Sequence, residues 1–200
     1  MSTSSSNQTH HKILASEIMD ELNQISSEFS AFQNKSGLAC PSGCGKCCFK
    51  SDIYCTPIEL LPLALNLLER GEAMTTYEKC KEHIEPRCIF MEIENRENGK
   101  GKCTEYNFRP LVCRIFGVAG RHDKNNKIIF STCSTLKEIH PEKNENLNSQ
   151  TFSNNEVPFI ELAKSRLETL DPAFSEKEYP INVALAMMLE KVMMSASFSD

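Results

Sequence analysis

The chain has 200 residues, 40% hydrophobic and 24% charged, and its 22 Lys and Arg against 27 Asp and Glu leave a net charge of −5. That length suits one domain with a core of its own, ~150 residues being usual, and the apolar content excludes a disordered chain. The acidic balance argues against nucleic acid or anionic lipid as partners, and no run approaches the ~18 apolar residues of a membrane span.

Residues 1–9 (MSTSSSNQT) read as a polar, disordered tail. They have neither the basic nor the apolar region of a secretion signal, which predicts a cytoplasmic, reducing setting. Over 10–35, Ile18, Leu22, Ile25, Phe29 and Phe32 recur at steps of 4, 3, 4 and 3. This is one stripe of an amphipathic helix, too short for a coiled-coil seam and expected to dock on the core. Residues 36–136 form a cysteine-rich domain. Within it, Thr56-Pro57-Ile58-Glu59 has the form of a capped helix start, and a leucine-rich helix follows to a Gly71 stop, with Pro62 kinking it or delaying its start. A weaker helix is expected near Thr75–Ile84. Cys88–Ile93 and Lys102–Tyr106 read as strands around Asn98-Gly99, the pair typical of hairpins. Pro110 opens a short helix carrying Cys113 that Gly117 ends, and Lys127–Phe130 is a further strand candidate running into Cys133. The polar, Asn-rich stretch 141–155 reads as a linker. Over 156–195, two helices, near Val157–Leu170 and Glu176–Met194, are expected to pack on the core, their Met pairs acting as flexible filler. The fold class is mainly α (α+β): helices packed around a cysteine-rich metal-binding core with a small antiparallel β-hairpin.

Ten cysteines all fall between Cys40 and Cys133. In a reducing compartment such a pattern points to metal binding or catalysis before disulfides. The first cluster is Cys40-Pro-Ser-Gly-Cys44-Gly-Lys-Cys47-Cys48. The Cys44-x-x-Cys47 step lets one tight turn present two sulfurs to one ion. Adjacent side chains diverge, so Cys47 and Cys48 would serve two metals, two irons of one cluster, or one ligand and one core position. Cys88, Cys103, Cys113 and Cys133 are dispersed, but the hairpin, short helix and third strand would gather them. Eight sulfurs suffice for two tetrathiolate sites or two clusters. Four thiolates around zinc leave a local charge of about −2, and Arg109 and Arg114 flank Cys113 as candidate donors around its sulfur. Cys55 and Cys80, each without a near partner in sequence, read as structural or free thiols.

The run ending in Cys47-Cys48, the helix start at Thr56 and Glu59, Cys88 before a hairpin, Cys103, and Arg109-Pro110-Leu111-Val112-Cys113-Arg114 together resemble the YkgJ-type cysteine-cluster family. That family's signature is written CxxCxxCC, and it is regarded as a zinc- or iron-chelating domain. The resemblance covers about residues 40–133. It implies that Cys40, Cys44, Cys47, Cys48, Cys88, Cys103 and Cys113 are ligand positions, with Cys133 an eighth. The first step here spans three residues where the family has two, and Phe116-Gly117 stands where the family often has Phe-Pro. A related module occurs in flagellin lysine methylases.

The expected function is metal binding, with zinc making the sites structural and an iron–sulfur cluster making the protein an electron carrier that would need a redox or protein partner. The alternative is a metal-dependent enzyme. Cys40-x3-Cys44-x2-Cys47 matches the spacing of radical S-adenosylmethionine enzymes, which resemble partial barrels of alternating strands and helices, and methylase-associated chemistry follows from the module analogy. A third reading, zinc-mediated binding through Arg121, His122, Lys124 and Lys127, is opposed by the acidic total. The chain has no GxxxxGK[ST], GxGxxG, HExxH or GxSxG, and its five histidines form no recognised pattern.

Overall fold

A computed structural model describes residues 3–50, 53–85, 87–97 and 99–197. Met1, Ser2 and Asn98, with which the sequence pattern predicts a hairpin turn, lie outside the described residues.

The long N-terminal helix α1 (Thr3–Ser36) sets the frame. It begins within the residues read above as a polar tail. Its predicted stripe is buried throughout: Ile18, Leu22 and Ile25 are fully enclosed, and Phe29 and Phe32 nearly so. Each such side chain contributes about 2 kcal/mol of transfer free energy. Beyond a 3-10 turn (Lys46–Phe49) and the short strand β1 (Tyr54–Cys55), Thr56 caps a second 3-10 turn (Pro57–Leu60) that feeds α2 (Leu61–Glu69). Pro62 therefore sits in the first turn of α2, where its missing N–H costs nothing. Gly71, at φ +73°, ends α2 with paired bonds from Glu72 N to Leu67 O and Gly71 N to Leu68 O. The α3 helix (Ala73–Glu82) follows.

Two antiparallel hairpins come next. The first pairs β2 (Met91–Asn95) with β3 (Lys100–Cys103), Met91 opposite Cys103. It starts later than the sequence pattern suggests, because a turn closed by Met91 N to Cys88 O occupies Cys88–Phe90. A 3-10 turn (Tyr106–Phe108) and the short helix α4 (Leu111–Ile115) link it to the second hairpin, β4 (Val118–His122) with β5 (Ile128–Thr132). Strand β4 escaped the sequence reading, since Val-Ala-Gly-Arg-His shows little alternation.

The stretch 141–155 is not an open linker. After α5 (Ser134–Ile139), α6 (Pro141–Ser149) forms with Pro141 in its first turn, and Leu147 is buried against Phe32, Leu38 and Leu136. Lys143 Nζ also reaches Gly37 O at 3.1 Å. One apolar residue in a polar segment gives too weak a period to read, yet it anchors the helix. A 3-10 turn (Asn154–Glu156), α7 (Ile160–Glu168), α8 (Pro172–Ser175), β6 (Tyr179–Pro180) and α9 (Ile181–Ser197) complete the chain, with β6 pairing antiparallel to β1.

The main core joins α1, α2, α3, α7 and α9, with Ala184, Leu185, Met188, Leu189 and Val192 as the contribution of α9. A smaller cluster stacks Phe32 on Phe130 at 5.8 Å, with Phe152 edge-on to both. Among the described residues the architecture is mainly helical with three two-stranded sheets. The barrel that the radical-enzyme reading requires is not formed by the described residues. No helix among them is long and apolar enough to cross a membrane.

Candidate metal centre

The cysteine loop is strapped across the tip of the first hairpin. Gly45 N donates to Gly99 O at 3.1 Å, and Cys44 bridges Lys100. A Cβ on Gly45 would meet Gly101 N and O at 3.0 Å, so only glycine allows the two backbones this approach. Cys103 lies in β3, and Cys88 lies just before β2. Cys113 is on α4, and Cys133 caps α5 at the foot of the second hairpin, where Cys133 N donates to Gly117 O at 2.7 Å. Seven of the eight predicted cysteines, all but Cys133, line one cavity of about 630 Å3. Cys133 and Cys47 together line a neighbouring one. Cys55 and Cys80 are buried in the helical core and line neither.

Electrostatic coupling sorts the eight further. Burial pushes the Cys40 thiol up to about 11, and Cys44, Cys47 and Cys133 add to the effect. Burial likewise raises Cys88, to about 12, with Cys103 contributing. Cys113 rises well above the usual thiol range, first through burial and then through Cys88, Cys47 and Cys103. Cys48 is influenced by Cys113, Cys103 and Cys88. Cys47 and Cys48 meet at S···S 3.9 Å and share a proton, which holds Cys47 up and Cys48 down. Cys47 is thus felt both by Cys40 and by Cys113, and its sulfur touches that of Cys48. Among the described residues, no three Cys, His, Asp or Glu side chains already stand as they would around an ion. What fits a soft or borderline metal is the donor set itself: half-buried thiols, with Cys40 at the surface, crowded around one cavity.

Arg109 and Arg114 bind main-chain oxygens where the sequence suggested contacts to sulfur. Arg109 stacks on Tyr106 with 3.5 Å to the ring centroid, and it donates to Tyr106 O and to Cys113 O. Its charge still favours the thiolate forms of Cys103 and Cys113 against their burial. Arg114 donates to Arg109 O and Asn107 O and reaches Asn23 and Ser26 on α1. Together the two arginines knot the segment carrying Cys113.

Three further side chains, not singled out as site residues from sequence, tie the cysteine segments to the helices. Buried Glu59 accepts from Thr56 N at 2.8 Å, Thr56 Oγ1 at 2.9 Å and Leu111 N at 2.6 Å, joining the cap of one turn to the start of α4. Burial pushes its carboxyl above the usual range, and the three donated bonds pull the other way. Asn182 of α9 accepts from Ile89 N at 3.1 Å and donates to Arg87 O at 2.8 Å, holding both sides of Cys88. Gln33 of α1 donates to Phe116 O at 3.2 Å, across Gly117. A β-carbon at Gly117, whose φ is +130°, would come within 2.8 Å of that amide. Only Glu59 had a local signal, its place in the capping box; the others bond residues 83 and 93 positions away.

Asn182→Leu is expected to cost about 1–3 kcal/mol, since it leaves a backbone donor and acceptor beside Cys88 unpaired. Denaturant titration measures the loss, and Asn182→Asp, which keeps the acceptor, should lose less. Cys55→Ser should cost about 1–3 kcal/mol by burying an unpaired hydroxyl while leaving metal content unchanged, which elemental analysis checks.

Fold and site together define a small helical domain with a clustered-thiol centre. A family model, "CxxCxxCC: Putative zinc- or iron-chelating domain", matches residues 39–152. The chain belongs to that family, and its metal chemistry is accordingly zinc or iron chelation. Comparison with curated proteins and with solved structures finds no match.

Proposed function

We propose that the chain binds zinc or iron through eight thiolates in two neighbouring groups: Cys40, Cys44, Cys47 and Cys133 in one, and Cys48, Cys88, Cys103 and Cys113 in the other. The observation that supports this reading is the Cys47-Cys48 step, whose sulfurs touch at 3.9 Å and stand between the two sets of cysteines. Cys47 acts on Cys40 on one side and on Cys113 on the other, and Cys48 is coupled to the three hairpin and α4 cysteines. Zinc bound there supplies structural cross-linking, and iron with sulfide supplies one-electron chemistry. The protein's own part is to gather the sulfurs, shield them and partly neutralise them. Gly45 lets the loop dock on the hairpin, Glu59 and Asn182 fix the α4 and Cys88 segments, and Arg109 offsets thiolate charge at Cys103 and Cys113. The Cys40, Cys88, Cys103 and Cys113 thiols, raised first by burial, exchange a proton for a cation on binding, so loading should release protons.

Single Cys→Ser substitutions with metal stoichiometry test the grouping. Cys40→Ser and Cys133→Ser should deplete one class of metal, and Cys88→Ser and Cys103→Ser the other. Metal content that falls by the same amount for all eight, or for none, contradicts the two-group reading.

A further inference from the structure

A second cavity, of about 720 Å3, lies beyond Cys47 and Cys133. Four lysines line it from three separate segments: Lys46 and Lys50 at the cysteine loop, Lys137 on α5 and Lys164 on α7. Lys164 is paired with Glu178 at 2.5 Å, and Lys46 stands 3.8 Å from Glu138. Neither Lys50 nor Lys137 has a carboxylate partner among the described residues. Glu59, the other acid in the wall, is already taken by three donors. The cavity therefore carries an excess of positive charge in an acidic protein.

An independent observation comes from the same wall. The hydroxyls of Thr132 and Thr135 are buried and have no hydrogen-bond partner among the described residues, and Thr135 as a whole is 8% exposed. Both hydroxyl oxygens are sealed from the cavity, so a ligand oxygen recovers the cost of an unpaired hydroxyl once the threonine side chain turns outward. Apolar side chains of α4 and α7, Ile115 and Ile160 among them, form another part of the lining. No arginine lines the cavity, so planar, bidentate carboxylate recognition is missing, whereas lysine point charges suit phosphate.

We infer that this cavity is a binding site for a small organic phosphate, its phosphoryl oxygens met by Lys50, Lys137 and Lys164, with the two threonine hydroxyls turning out to join them, and its organic part by the apolar lining. The volume lies within the range of about 300–1,000 Å3 usual for small-molecule sites. The cavity shares Cys47 and Cys133 with the proposed metal centre, but none of the groups assigned to the phosphate is a proposed metal ligand.

Isothermal titration of the metal-loaded full chain with phenyl phosphate and with inorganic phosphate tests it. Both should bind saturably at one site and more weakly as salt rises, with phenyl phosphate about tenfold tighter through its buried ring. The triple variant K50Q/K137Q/K164Q should lose about tenfold or more in affinity with its metal content intact. Thr135→Val should fold at least as stably as the wild type and bind phenyl phosphate about threefold more weakly. Lack of saturable binding overturns the inference, as does undiminished binding by both variants. Equal affinity for the two probes overturns the assignment of an organic ligand. Binding that survives the triple substitution but vanishes on metal removal places the anion on the metal and also overturns the site.

Discussion

Chelating the metal from the full chain is expected to melt the cysteine loop over 40–49 and the β2–β3 hairpin while α1, α2 and α9 persist. The reason is the distribution of apolar burial. The turn Lys46–Phe49 has no buried residue, and each strand of the first hairpin buries a single one, Met91 in β2 and Gly101 in β3. An isolated two-stranded hairpin is marginal in water. The helices, in contrast, share the main core, with Ile18, Leu22, Ile25, Leu67, Met188 and Leu189 almost wholly enclosed. Metal ligation in small thiolate modules is worth about 10–16 kcal/mol and acts as folding energy, far more than the hairpin's own contacts. Hydrogen exchange reads this directly. Amides of Met91–Asn95 and Lys100–Cys103 should lose protection on chelation, while those of α1 and α9 keep theirs. Equal protection before and after chelation would show that the loop and hairpin stand without a metal.

Glu59→Ala should be the most damaging single change away from the cysteines, at about 3–5 kcal/mol. Its carboxylate is the sole side-chain acceptor for Thr56 N and Leu111 N, and it lies at 5% exposure, so its loss leaves buried donors unpaired and a cavity beside them. Glu59→Gln retains one acceptor oxygen but turns an amide donor toward a donor, and should cost about 1–2 kcal/mol. Because Leu111 opens α4, the Ala variant should also raise the alkylation rate of Cys113. Equilibrium unfolding and thiol labelling check the two effects. Destabilisation without faster labelling would mean that α4 is positioned independently of Glu59.

What was legible in the sequence follows physical range. The α1 stripe, the Thr56–Glu59 cap and the Gly71 stop each arise from residues within a few positions of one another. All are present, although the cap closes a 3-10 turn before the helix proper. The ten cysteines pointed to a thiol cluster, and the spacing with the family resemblance set eight apart from Cys55 and Cys80; those eight line the two cavities, and Cys55 and Cys80 lie in the core. The long-range ties escaped because nothing local marks them: Gln33, Asn182 and Lys143 look like ordinary polar helix residues until the chain returns to them. The same holds for α6, whose single buried leucine gives no period, and for Arg109 and Arg114. Their bracketing of Cys113 suggested sulfur contacts, whereas the carbonyl oxygens of a tight turn and short helix lie nearer to their reach.

Elemental analysis of the full chain purified without oxygen and without added metal bears most directly on the central claim. The account predicts zinc or iron in near-integral amounts per chain, with thiols shielded from alkylation until the metal is removed. Protein free of both metals, with all its non-core cysteines reacting at once and its hydrogen-exchange pattern unchanged by added zinc or iron, would contradict it.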